Sequence, residues 1–308
     1  MIVASWPWWF CQLFGGSWPR SYCTFDCETS GFVRDKDLIV EMGHCLVEDG
    51  KPVDRLSLVL DWTEHDIVPD HWLRRRLDET RQAMAQDGKT YCMTYERMRA
   101  EGVRPPEKVL RFYYDLFSTL IERRFLFAAH GGFFDEEMLA HAVAGFRIAD
   151  GFQFPDNQLF DTMSIEKGNQ LAHDRNAQPR PGETLRSYFR RLRFLKGGGK
   201  VRSSLDQHCA VKYDLARRYG LDMSQAHSAG FDAYLVHLLM EEFGAQAAKS
   251  AQPPGPPMPG SFWQDGHALE PFGGTLLTPP RRTPSARQPA AAPAAGAAPP
   301  RRRRQRNR

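Results

Sequence analysis

Four acids and one histidine stand out by type and spacing: Asp26, Glu28, Asp135, Asp232 and His227. Asp26 and Glu28 are two apart in a segment beginning Tyr22-Cys-Thr-Phe-Asp26 that reads as a short strand. Residues two apart on a strand leave the same face, about 7 Å apart along the chain. Phe25 and Cys27 then point the other way, into the core. Two carboxylates side by side repel each other unless a cation lies between them, so a hard divalent metal is their natural partner. Asp135 follows the apolar run Phe125-Leu-Phe-Ala-Ala129 and the turn His130-Gly131-Gly132, at the start of a helix. Asp232 falls in the first turn of a late helix with His227 on the loop just ahead, where an acid can reach a metal beside an imidazole. Each piece alone has a plainer reading: a solvated pair at a strand end, a helix-capping aspartate, a hydrogen-bonded surface histidine.

The elements that must position these groups follow from the pattern of the chain. Asp37 to Val47 is apolar and partly alternating and ends at Glu48-Asp49-Gly50, a hairpin-type turn; Val53 to Leu60 gives the next strand. Three strands in quick succession predict an antiparallel meander. Helices are expected over His71–Asp87 and Glu107–Arg123, the latter with Val109, Leu110, Tyr113, Leu116, Phe117, Leu120 and Ile121 at helical spacing. A short strand over 125–129, a helix over Phe134–Phe146, one from Ser203 to Tyr219 ending at Gly220, and a last one from Ala229 to Phe243 stopping at Gly244 complete the series. Strands first, then helices alternating with short strands, indicate an α/β domain with a mixed sheet.

Composition bounds the alternatives. The chain has 308 residues, 42% hydrophobic and 25% charged, which is ordinary usage and excludes wholesale disorder or a fibrous repeat. No apolar run approaches the roughly 20 residues needed to cross a bilayer. The net charge of +4 conceals an asymmetry, because Pro271 to Arg308 holds nine arginines, no lysine and no acid. Without those nine, 32 basic residues stand against 37 acidic ones. The six cysteines form no CxxC pair, so a zinc site or disulfide framework is not expected, and reduced thiols in a cytoplasmic protein are.

Three regions result. Residues 1–20 form an aromatic-rich extension with four of the seven tryptophans and no basic residue before Arg20, unlike a secretory signal, and no function is assigned to it. Residues 21–245 form the folded domain. Residues 246–308 are expected as a disordered Pro/Ala/Arg-rich basic tail, since 13 of the 22 prolines lie in 253–300. Its arginines either add sequence-independent affinity for phosphates or serve as a solubilising linker.

The joint pattern narrows the reading. Asp26-Cys-Glu28-Thr-Ser-Gly31 on an early strand, His130-Gly-Gly-Phe-Phe-Asp135 after a middle strand, and His227-Ser-Ala-Gly-Phe-Asp232-Ala opening a late helix occur in that order. Together they resemble the three motifs of the DEDDh family of 3′→5′ exonucleases, the group of the DNA polymerase III epsilon subunit, ribonuclease T and oligoribonuclease. The resemblance covers about residues 21 to 244. Phe160-Asp161-Thr162 is similar to the family's Asp-Thr strand, and Met93 to Val103 occupies the place of its small helical connector. The resemblance implies a ribonuclease H-like fold, a mixed central sheet flanked by helices. It also implies two divalent ions, Mg²⁺ or Mn²⁺, held by Asp26, Glu28, Asp135 and Asp232. Hard oxygen ligands suit such cations, and a metal pair can stabilise both the attacking and leaving oxygens in displacement at phosphorus. It makes His227 the general base, an imidazole whose ordinary pKa of about 6.5 suits proton transfer near neutrality. Thr29, Ser30 and Gly31 become candidates to hold the 3′-terminal nucleotide through a backbone amide.

The implied activity is release of nucleoside 5′-monophosphates from the single-stranded 3′ end of DNA or RNA. The alternatives are a ribonuclease trimming RNA 3′ ends and a non-catalytic nucleic-acid-binding relative. The motifs do not encode the choice of sugar. No polymerase-binding or clamp-binding segment is recognisable, so a replicative or repair partner is left open, and no membrane association is expected. Two departures stand out. Gly131 replaces the asparagine usual after the motif-two histidine, which puts one polar contact near the substrate or metal in doubt. The intervals are also long, so that 62–92 and 168–202 must be loops or added helices, the latter with a basic Gly197-Gly-Gly199 loop read as a nucleic-acid contact or a plain connector.

Overall fold

The computed structural model describes residues 18–171, 175–177, 180, 183–195 and 203–249. The first seventeen residues of the aromatic extension, the glycine loop at 196–202 and the basic tail beyond 249 lie outside the described residues. Strand β1 (Tyr22–Thr29) pairs antiparallel with β2 (Ile39–Glu48), which pairs antiparallel with β3 (Lys51–Val59). The β2–β3 turn has Asp49 at φ 50° and Gly50 at φ 76°, the double left-handed turn that matches the twist of a hairpin. On its other edge β1 pairs in parallel with β4 (Leu126–Ala129), and β4 with β5 (Leu159–Asp161). The strand order is therefore β3-β2-β1-β4-β5, a mixed sheet with β1 at its centre. A meander is thus extended by parallel strands through helical crossovers, the mixed central sheet flanked by helices expected from the sequence.

The helices follow the hydrophobic pattern. They are α1 (Asp70–Gln86), α2 (Tyr95–Glu101), α3 (Glu107–Glu122), α4 (Phe133–Gly145), α5 (Thr162–Gln170), α6 (Leu185–Phe194) and α7 (Ala229–Lys249). One face of the sheet carries an aromatic core in which Phe25 lies 5.3 Å from Phe117 and 5.1 Å from Phe154, and Phe127 lies 4.5 Å from Phe154, measured between ring centroids. The long α7 covers the other face. The Thr24 hydroxyl donates to the Ala233 carbonyl at 2.6 Å. The backbones approach so closely at Gly43, the β2 partner of Asp26, that a Cβ there would collide with Ala229 and Gly230. The long intervals hold α1 in one case and α6 in the other, while α2 lies in the Met93–Val103 connector. No helix of the described residues is long and apolar enough to cross a membrane.

Two expectations are corrected. The helix expected over Ser203–Tyr219 is instead broken into a π-helical turn (Leu205–Cys209), a single α turn to Lys212 and a short helix (Leu215–Tyr219), with Asp214 in the left-handed region at φ 54°. The break draws His208, Lys212 and Tyr213 onto the buried carboxylate of Glu166. The last helix does not stop at Gly244 but continues to Lys249. Trp18 packs against its flank, 6.4 Å from Phe243 and 5.7 Å from Phe160 between ring centroids, and tertiary packing outweighs the local stop signal.

Candidate active site

The C-terminal end of β1 collects the acids. Asp26 and Glu28 leave the strand on one face, as the spacing predicts, and remain partly open to solvent. β4 pairs with β1 only as far as Thr24, which leaves the next inward-facing amide of β1 without a strand partner. Asp135, in the first turn of α4, takes that place: its Oδ1 accepts from the Cys27 amide at 2.9 Å. Asp232 comes in from the first turn of α7, whose start the close approach at Gly43 seats directly on β2. Asp135 and Asp232 are buried, at 4% and 7% exposure.

His227 completes the group. Its backbone is left-handed, at φ 67°, a conformation uncommon outside glycine and seen for histidine chiefly where the surroundings impose it. The turn aims the His227 amide at Asp232, 3.2 Å from Oδ2, and sets the ring Nδ1 3.8 Å from the same oxygen. One donor atom each from Glu28, His227 and Asp232 lie within 4.8 Å of one another.

The electrostatics are those of uncompensated like charges. Burial, followed by the charges of Asp135, Asp232, Glu28 and Glu41, pushes the Asp26 carboxyl well above the usual carboxylate range. Burial and then Asp232, Glu41 and Asp135 do the same to Glu28, against the pull of Lys89. Burial raises Asp135 to about 7 although the Cys27 amide opposes it, and Asp232 to about 7 against the pull of His227. Four acids raised together form an oxygen-rich set that a hard divalent cation fits and that its charge would return to the ionised state.

Thr29, Ser30 and Gly31 lie at the end of β1 beside the acids, but their side chains serve the loop itself. Thr29 Oγ1 donates to the Gly31 carbonyl at 2.6 Å, and the fully buried Ser30 hydroxyl donates to Asp37 at 3.2 Å and accepts from the Leu38 amide at 3.0 Å. The inserted segment braces them. Thr80 donates to the Ser30 carbonyl at 2.6 Å, Tyr91 to the Thr29 carbonyl at 2.5 Å, and Arg76 grips Asp37 with two bonds of 2.8 and 2.7 Å. Gly131 sits at φ +87°, which aims its amide at Asp161 Oδ1, 2.8 Å away. The preceding His130 does not face the acids; its ring bonds Thr162 Oγ1 at 3.0 Å and the Ser203 carbonyl.

Sequence reasoning missed three groups here. Glu41 lies opposite Glu28 in the β1–β2 register, is 1% exposed, and accepts from Ser57 at 2.6 Å and Ser228 at 2.9 Å, with Arg97 Nη1 3.4 Å away. A lone acid inside the apolar run Ile39-Val-Glu-Met was the available signal. Asp206 lies on the π turn, within the stretch expected as a regular helix, and Lys89 lies beyond α1; no motif marks either. Their nearness is purely tertiary.

No family model matches the chain, and no curated protein matches it in sequence. Among solved structures, exonuclease I of E. coli in complex with a dA16 oligonucleotide aligns over 75% of this chain and 42% of its own, at 14% identity and a TM-score of 0.47. The complex of the same protein with a dT13 oligonucleotide gives the same coverage, identity and score. The zinc-ion-bound form of its single-stranded DNA complex aligns over 76% and 42%, at 14% identity and a TM-score of 0.46. The chain thus spans less than half the length of these neighbours.

Proposed function

We propose that this chain is a metal-dependent 3′→5′ exonuclease that removes nucleoside 5′-monophosphates from the end of a single-stranded nucleic acid. The reading rests on one observation: acids far apart in the sequence, Asp26, Glu28, Asp135 and Asp232, meet at one end of the sheet with His227 beside them. Asp26, Glu28, Asp135 and Asp232 would hold two Mg²⁺ or Mn²⁺ ions. When bound, such ions supply charge stabilisation for the attacking and leaving oxygens. His227 takes the proton of the attacking water. The water oxygen bonds to phosphorus, the bond to the 3′ oxygen of the penultimate nucleotide breaks, and that oxygen recovers a proton from solvent. At the braced turn Thr29–Gly31 the hydroxyls and the three carbonyls are engaged within the fold, so a backbone amide is the contact the turn would offer the terminal sugar. Preorganisation of this kind places the scissile bond without reorganisation during reaction.

The test is incubation with end-labelled single-stranded DNA, duplex DNA and RNA in Mg²⁺, with and without EDTA. Mononucleotide release from the 3′ end, abolished by EDTA and by Asp26→Ala or Asp232→Ala, is expected. His227→Ala is expected to slow release by roughly 10²–10⁴-fold, the usual scale for a general base. Binding without turnover would leave a non-catalytic nucleic-acid-binding protein, and turnover confined to RNA would leave a 3′-trimming ribonuclease.

A further inference from the structure

The imidazole of His227 stands between two aspartates, and one of them, Asp206, lies outside the acid cluster. Nδ1 faces Asp232 Oδ2 at 3.8 Å, while Nε2 lies on the opposite side of the ring, 3.3 Å from Asp206 Oδ2. Both side chains are largely enclosed, with 12% of His227 and 14% of Asp206 exposed. The Nε2 contact is an ion-pair approach that falls short of a hydrogen bond, and Nε2 is a buried ring nitrogen with no hydrogen-bond partner among the described residues. Catalytic hydrogen bonds are commonly long before substrate closes the site.

Asp206 is held for this contact from its other side. Its second oxygen, Oδ1, lies 3.8 Å from Lys89 Nζ, and the neighbouring Gln207 donates to the Asp87 carbonyl at 3.1 Å. The residues just past α1 thus clamp the π turn that carries Asp206. Extra-residue turns of this type put a side chain where a regular helix would not. On the histidine side, the left-handed backbone at residue 227 sets the ring between the two aspartates.

We propose that Asp206 is a positioning residue for His227, holding the proton on Nε2 so that Nδ1, turned toward Asp232, carries the lone pair that receives a proton from water. A neutral imidazole has one protonated and one free nitrogen, and the partner of the first decides which is free. A carboxylate accepts from N–H and cannot donate, so Asp206 selects the Nε2–H form and then stabilises the imidazolium that follows. The role rests on the exonuclease reading above, because it acts on the proton acceptor of that reaction.

The experiment pairs turnover with a measurement that needs none. Asp206→Ala is expected to lower kcat by roughly 10–100-fold, the scale for partners that orient a reacting histidine, with KM unchanged. The same change in a His227→Ala background is expected to cost nothing further, because Asp206 acts only through that ring. Asp206→Asn keeps the shape without the charge, so it covers the case in which the alanine variant does not fold, and it should lower kcat at an unchanged unfolding midpoint. Nitrogen-15 spectra of the metal-free protein, with neutral His227, should show the Nε2–H form in the wild type and its loss in Asp206→Ala. Wild-type kcat in both Asp206 variants, additive losses in the double variant, or an Nδ1–H ring in the wild type would overturn the role. A wild type that releases no mononucleotide would instead overturn the exonuclease reading, and the spectra would still decide the orientation of the ring.

Discussion

The protein buries carboxylates in two different ways. Glu136 and Glu166 are enclosed and saturated. Glu136 takes two bonds of 2.6 Å from the Arg186 guanidinium and one of 2.7 Å from the Phe154 amide. Glu166 takes Lys212 at 2.5 Å, Tyr213 at 2.7 Å and His208 at 3.2 Å. Burial alone would raise Glu166, yet Lys212, Tyr213 and His208 hold it below the usual carboxylate range. Immediately before Glu136 in the chain, Asp135 joins Asp26, Glu28 and Asp232, and all four are pushed up. The same chemical group is thus used for cohesion in one region and left in repulsion in the other. A fold tolerates such repulsion where function requires it, which is why we propose the raised cluster as the site, with the saturated pairs as its frame.

The contrast predicts opposite mutational signatures. The largest effect is on activity: Asp26→Asn or Asp232→Asn abolishes metal-dependent hydrolysis while the unfolding midpoint of the metal-free protein stays level or rises, because a like charge has gone. Next is Glu136→Ala, which takes from Arg186 its buried carboxylate and leaves it only the Phe154 carbonyl and the exposed Asp156, at a cost of about 3 kcal/mol of stability. For a domain of this size each kcal/mol lowers the midpoint by about 2–4 °C, readable in a thermal melt. An equal loss of stability in the cluster variants would erase the distinction between the two regions.

A smaller effect sharpens it through pH. Carboxyls raised in the fold bind protons more tightly folded than unfolded. In EDTA, the cluster therefore lowers stability as pH rises from the unfolded value of about 4 to the folded value of about 7 for Asp135 and Asp232. Glu166 runs the other way, its contribution present above the unfolded value and lost as pH falls through its depressed folded one. Melts across this range should show declining stability that Mg²⁺ reverses and Asp232→Asn flattens; a wild type indifferent to both would contradict the raised cluster. The smallest effect is at Lys89. Its long contact to Asp206 makes Lys89→Met a loss of only a few-fold in kcat, the scale of a partly exposed pair, measured beside the wild type at equal salt.

Much of this was legible in the chain. Period-two spacing put Asp26 and Glu28 on one face, Asp49-Gly50 fixed the hairpin, and strands before helices gave the mixed sheet. Capping logic placed Asp135 and Asp232 in first turns, yet it could not say that Asp135 would cap a strand amide at Cys27 rather than its own helix, since that depends on where β4 stops. The broken helix after Ser203 was invisible because Glu166, which draws it open, lies some forty residues earlier. The sequence makes Thr29 and Ser30 candidates to hold the terminal nucleotide, but the bracing of their loop from Thr80, Tyr91 and Arg76 comes from an interval whose packing no local pattern records.

The most direct measurement is calorimetric titration of the metal-free protein with Mn²⁺ near pH 7 in buffers of different ionisation enthalpy. The gathered acids predict two bound ions per chain and proton release on binding, since carboxyls raised to about 7 must ionise to ligate, and weakened binding in Asp26→Asn and Asp232→Asn. No binding, or binding of equal strength in both variants, would contradict the account.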